Sequence, residues 1–96
     1  MQVNMAEMVA RLKLLRSMVD GLSVAEASEL AGLSRGALGH IEGKRRANPS
    51  IETVGALAQL YGASLDWMSS GEGAAPERDW VRVHVQMARE RAKADG

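Results

Sequence analysis

The chain has no cysteine and no phenylalanine. Without cysteine there is no disulfide and no thiolate metal site. Its two histidines, His40 and His84, are too few to hold a metal by themselves. We therefore expect no cofactor and no metal. No apolar run approaches the ~18 residues needed to span a bilayer, and no signal-peptide pattern opens the chain. These absences point to a soluble, intracellular protein. Net charge is absent too, with 12 basic residues against 12 acidic ones. Binders that rely on phosphate neutralisation alone are strongly basic, so a nucleoid-type role without sequence preference is disfavoured. Aromatic residues are scarce, only Tyr61, Trp67 and Trp80.

What is present is an aliphatic core in a chain of 96 residues, 46% of them hydrophobic. Leu, Ala, Val and Met suit short helices packed closely. At this length the chain is one small domain with a short extension. Its charges are unevenly placed. Arg35, Lys44, Arg45 and Arg46 stand against Glu42 alone, whereas from Ala47 to Glu77 there is no Lys or Arg. One local basic patch sits on an otherwise neutral protein.

Helical periodicity runs through Met5, Met8, Val9, Leu12, Leu15 and Val19, and Gly21 ends this first helix. Ser23 with Glu26 three residues on reads as a capping box for a second helix through Ala31, broken by Gly32. Ser34 can cap a third helix to about Glu42, with Leu33, Leu38 and Ile41 inward. Ser50 caps a fourth, whose stripe is Ile51, Val54, Leu57, Ala58 and Tyr61 and whose stop is Gly62. Ser64 opens a short fifth around Leu65, Trp67 and Met68. Residues 5–71 are thus one compact five-helix all-α domain. Residues 72–76 read as a flexible joint, and 77–96 as a C-terminal segment. In that segment Val81, Val83, Val85 and Met87 alternate with polar residues as a strand would. Pro76, the early Glu77 and Asp79, and the late Arg89, Arg91 and Lys93 suit a helix instead, and we favour the helix.

The informative spacing is Ser28, Gly32 and Leu38. Two steeply crossed helices need a small residue at their contact, a glycine in the turn and an apolar residue facing the core from the second helix. Those are the requirements of a helix-turn-helix, whose second helix can enter the DNA major groove. No nucleophile elbow, phosphate-binding glycine loop or acid–base pair accompanies it, so we expect no enzymatic activity.

From Arg11 to about Gly71 the chain resembles the Cro/CI-type (XRE-like, lambda-repressor-like) helix-turn-helix domain of phage and bacterial regulators. The matching stretches are RLKLLR, GLSVAEASELAGLSRGALGHIEGKRR, NPSIETVGALAQLYG and SLDWMSSG. The resemblance implies a four- or five-helix fold and sequence-specific binding of double-stranded DNA as a dimer, most often as a repressor in the cytoplasm of a bacterial or phage-infected cell. By position, Ser34, Arg35, Gly36, Gly39 and His40 fall on the base-reading side of the recognition helix. Ser23, Lys44, Arg45, Arg46 and Asn48 fall where the family meets phosphates. Arg16 and Glu42 match a structural ion pair. Two departures stand out: Val24 occupies the usual place of a glutamine, and Gly36 and Gly39 replace polar readers.

The expected partner is a second copy on an inverted repeat, since one helix-turn-helix makes few contacts and pairing doubles them. We assign dimer contacts to Trp80, Val81, His84, Val85, Met87 and Ala88, helped by Trp67 and Met68. The alternative is a protein-interaction module, such as an antitoxin, whose tail grips a protein partner while DNA binding is secondary.

Overall fold

Helix starts and stops follow from local chemistry. The computed structural model describes residues 4–43 and 49–95. Six helices follow in order: α1 Met5–Ser17, α2 Val24–Leu30, α3 Ala37–Gly43, α4 Ile51–Tyr61, α5 Leu65–Ser70 and α6 Arg78–Asp95. The side chains of Asn4, Ser23, Ser50 and Ser64 accept hydrogen bonds from the backbone N–H three residues on, at 3.0–3.2 Å, and so cap α1, α2, α4 and α5. The third helix begins later than Ser34. There the Ser34 carbonyl, not its hydroxyl, accepts from the Ala37 N–H at 3.0 Å, and Arg35 and Gly36 form a turn that leads into α3. An exposed glycine so close to the start is a poor helix former, which shortens the element.

Leu12, Leu15, Leu38, Leu57, Tyr61 and Met68 are wholly buried at the centre. The C-terminal segment is helical, as favoured, and it is not a separate arm. Val81 and Val85 are completely buried and Ala88 nearly so, because α6 packs against α4 and α2 and completes the same core. Residues expected at a subunit interface are therefore corrected: Val81, Val85, Ala88, Trp67 and Met68 lie inside their own chain. The physical reason is that α6 has two apolar faces, and its valine row matches a core that α1–α5 leave open. Burying a valine side chain contributes about 1.5–3 kcal/mol. Two such side chains are a large share of the ~5–15 kcal/mol that holds a small domain folded.

The junction between α4 and α6 requires Gly62. It ends α4 with φ +70°, its N–H donating to the Gln59 carbonyl and the Ala63 N–H to the Ala58 carbonyl. Its own carbonyl accepts the Trp80 indole N–H at 2.7 Å. A Cβ there would lie 2.6–2.7 Å from the His84 and Trp80 rings, so a side chain would displace those rings.

Candidate nucleic-acid interface

The turn between α2 and α3 is built around one buried hydroxyl. Ser28 is fully buried; its Oγ donates to the Val24 carbonyl at 2.8 Å and accepts the Leu38 N–H at 2.9 Å. That second bond satisfies one of the free donors at the start of α3, where no intrahelical partner exists. Gly32, at φ +78°, ends α2. Its N–H donates to the Glu29 carbonyl at 3.0 Å and the Leu33 N–H to the Ser28 carbonyl at 2.9 Å, a Schellman stop that only a left-handed residue completes. Leu38 and Ile41 then face the core, and the opposite side of α3 is left to solvent.

Two ion pairs fasten this unit to the rest. Arg16 of α1 and Glu42 of α3 meet in a bidentate pair, Nε to Oε2 and Nη2 to Oε1 both at 2.9 Å, with the Glu42 side chain only 8% exposed. The Arg16 Nη1 also donates to the Leu22 carbonyl at 3.2 Å, so one guanidinium holds the entry to α2 and the end of α3. The hydrogen bond to Glu42 holds the Arg16 pKa above its ordinary value, although burial opposes it. Beside this pair, burial pushes the Tyr61 phenol up, and its hydroxyl has no hydrogen-bond partner among the described residues. The second fastener joins α2 to α6: Arg89 donates to both Glu26 oxygens at 2.8 and 2.9 Å. The hydrogen bonds from Arg89 hold the Glu26 carboxyl below its usual range. Ser23 thus makes its half of the capping box, while the Glu26 side chain turns to α6.

On the open side, Ser23, Ser34, Arg35, Gly36 and His40 are exposed. Ser34, Gly36 and His40 border a shallow groove closed on its far side by Pro49 and Thr53 at the start of α4. Arg35 projects into solvent and pairs across the turn with Glu29 of α2 at 3.3 Å. Gly39 differs from the others. It is half-buried, and a Cβ on it would lie 3.5 Å from the Val24 side chain, so Gly39 and Val24 form a close helix–helix contact. Lys44, Arg45, Arg46 and Asn48 lie outside the described residues. Sequence reasoning missed Glu29, Thr53 and Pro49 on this face. The Ser50 cap, with α4 starting at once behind it, was the available signal for the last two.

Of the remaining tail residues, Trp80 and Met87 are exposed and His84 is half-buried. The His84 ring stacks on Trp80 with centroids 4.5 Å apart, tilted by 44°.

Among the described residues no cluster of His, Asp or Glu could hold a metal, and no helix is long and apolar enough to cross a membrane. No curated protein and no solved structure matches the chain. A family model described as a helix-turn-helix domain matches residues 7–70, which cover α1 to α5 almost completely and include the α2–α3 turn and the Arg16–Glu42 pair, while α6 with Arg89 lies outside the match. That match takes in 64 of the 96 residues, and the chain belongs to the helix-turn-helix domain family.

Proposed function

We propose that this DNA-binding regulator is a homodimeric repressor of its own promoter, reading an inverted repeat whose half-sites lie about one helical turn, ~34 Å, apart. The observation that carries the reading is the hydroxyl-locked turn at Ser28, which fixes α3 so that Arg35 and Gly36 in the turn before it and His40 on it are exposed. The major groove, about 12 Å wide, admits one such helix. Arg35 is the base reader: its guanidinium can donate twice to one guanine. Ser34 and His40 stand beside it. Ser23 caps α2 where a phosphate oxygen can approach, and Lys44, Arg45, Arg46 and Asn48 supply further backbone contacts. Gly36 lets the backbone come close to the bases, so DNA shape carries part of the selectivity.

The test is a gel-shift titration against the protein's own upstream DNA and a scrambled duplex, each at two salt concentrations. Discriminating binding that saturates at two protomers per site is the expected result. Arg35→Ala should cost about 1–3 kcal/mol on the preferred duplex and flatten discrimination, whereas Arg45→Ala should weaken binding to both duplexes alike. Equal, weak binding of the wild type to both duplexes would overturn the reading.

A further inference from the structure

We propose that the outer face of α6 pairs with the same face of a second copy, antiparallel about a twofold axis level with residue 85. This rests on the homodimer reading only for its biological use; the pairing itself needs no DNA.

Three observations carry it. First, α6 keeps a second apolar row after its valine row is buried. Trp80, Val83 and Met87 are 55%, 55% and 45% exposed, and they follow one another at the three- and four-residue steps of a helix–helix seam. Second, the flanks of that row repeat every seven residues. Glu77, the residue just before α6, is followed by His84 and Arg91 on one side, and Asp79, Gln86 and Lys93 line the other. Each flank therefore runs from an acid at the N-terminal end, through a neutral or weakly basic centre, to a base at the C-terminal end. Third, Glu77, Asp79, Arg91 and Lys93 have no ion-pair partner among the described residues, although five ion pairs are formed elsewhere.

Only one orientation uses this pattern. Antiparallel pairing sets Glu77 of one copy against Arg91 of the other, and Asp79 against Lys93, each contact occurring twice by symmetry. On the axis His84 meets His84 and Gln86 meets Gln86, while Val83 packs beside Met87. The positive N-terminal end of each helix also lies beside the negative C-terminal end of its partner. Parallel pairing would place Asp79 near His84 and Gln86 near Arg91, and would leave the acids without bases. Flanking charges of this kind set helix orientation and partner choice. The paired stretch, Glu77 to Lys93, is about 24 Å long at 1.5 Å per residue. That is a small interface, so the dimer forms in the micromolar range and DNA completes it.

The experiment is sedimentation equilibrium of the full chain without DNA, from low- to high-micromolar concentration. The wild type should pass from monomer to dimer. Val83→Glu, at an exposed site, should keep its helical circular dichroism and raise the dimer dissociation constant by roughly a hundredfold. The double variants Glu77→Lys/Asp79→Lys and Arg91→Glu/Lys93→Glu should each be monomeric, and mixing them should restore a dimer containing one of each. A wild type that stays monomeric overturns the proposal, and capture of a different protein that Val83→Glu abolishes would then give this row to that partner. Double variants that still self-associate, or a mixture that stays monomeric, overturn the antiparallel register. Because no DNA is present, failure of the operator titration leaves these results intact, and a monomeric chain leaves half-site binding intact.

Discussion

The α2–α3 unit and α6 are held in the molecule by opposite means. Each helix of the reading unit has seven residues, below the ~12–15 at which an isolated helix becomes even marginally stable in water. Their conformation is imposed by side-chain fasteners: the Ser28 hydroxyl within the unit, and the guanidiniums of Arg16 and Arg89 reaching in from α1 and α6. By contrast, α6 has 18 residues, acid at its start and base at its end, and an unbroken valine row beneath it. The difference explains how a surface meant for DNA can carry so little hydrophobic anchorage. Its outer side stays bare because its shape is fixed from behind.

If that contrast is right, removing a fastener should harm the short helices most. Glu42→Ala leaves the Arg16 guanidinium partly buried without its acid, and we expect a loss of about 3 kcal/mol in urea denaturation, with α3 amides exchanging first. A loss under 1 kcal/mol would show that packing alone holds α3. Gly62→Ala attacks the other region. A side chain there needs a left-handed backbone and collides with Trp80 and His84, so we expect about 2 kcal/mol of destabilisation. The fluorescence of Trp80 should move toward that of an indole in water.

The link between the regions is Glu26–Arg89, and pH should expose it. The folded Glu26 carboxyl titrates below its ordinary value of 4.5. Its contribution to stability is therefore complete above that value and is lost as pH falls through the lower, folded one. Wild type should exceed Glu26→Gln in melting temperature near neutral pH, and the gap should close on acidification below 4.5. A gap independent of pH would mean that the carboxylate is not what Arg89 holds.

Smaller effects sharpen the picture of the bare side. Gly36 has open space around it and no positive φ, so Gly36→Ala should raise stability by about 0.5–1 kcal/mol while weakening DNA binding. Stabilisation without loss of binding would remove the close-approach role. Tyr61→Phe deletes a buried hydroxyl that has no partner among the described residues, and the change in thermal melting should stay below the equivalent of about 1 kcal/mol, in either direction.

How legible this was depends on the range of each interaction. Caps at Ser23, Ser50 and Ser64 and the stops at Gly32 and Gly62 act within a few residues, so a single stretch of sequence contains both partners. The turn at Ser34–Gly36 misled because a serine near a helix start signals a cap whichever of its oxygens accepts. The Arg16–Glu42 contact was visible through family resemblance and not through spacing. The tail was harder for a physical reason. Val81 and Val85 share one face with Ala88, whereas Trp80, Val83 and Met87 share another, and both are apolar. Which one turns inward is decided by the surface that α4 and α2 present, and that exists only after folding. Arg35 and Glu29 likewise meet only because the turn brings them together.

The reach of α6 has a consequence for how the protein is made. Arg82 bonds to the Met18 carbonyl 64 residues away, and Arg89 to Glu26 across 63. At about 5–20 residues per second, a ribosome finishes the α2–α3 unit, which ends at Gly43, some 2–9 s before it adds Arg89. A nascent chain halted before α6 carries the whole α2–α3 turn but lacks the Arg89 clasp on Glu26 and the valine row that completes the core. Interrupted synthesis therefore leaves that unit on an incomplete core, and its full support waits until α6 is made.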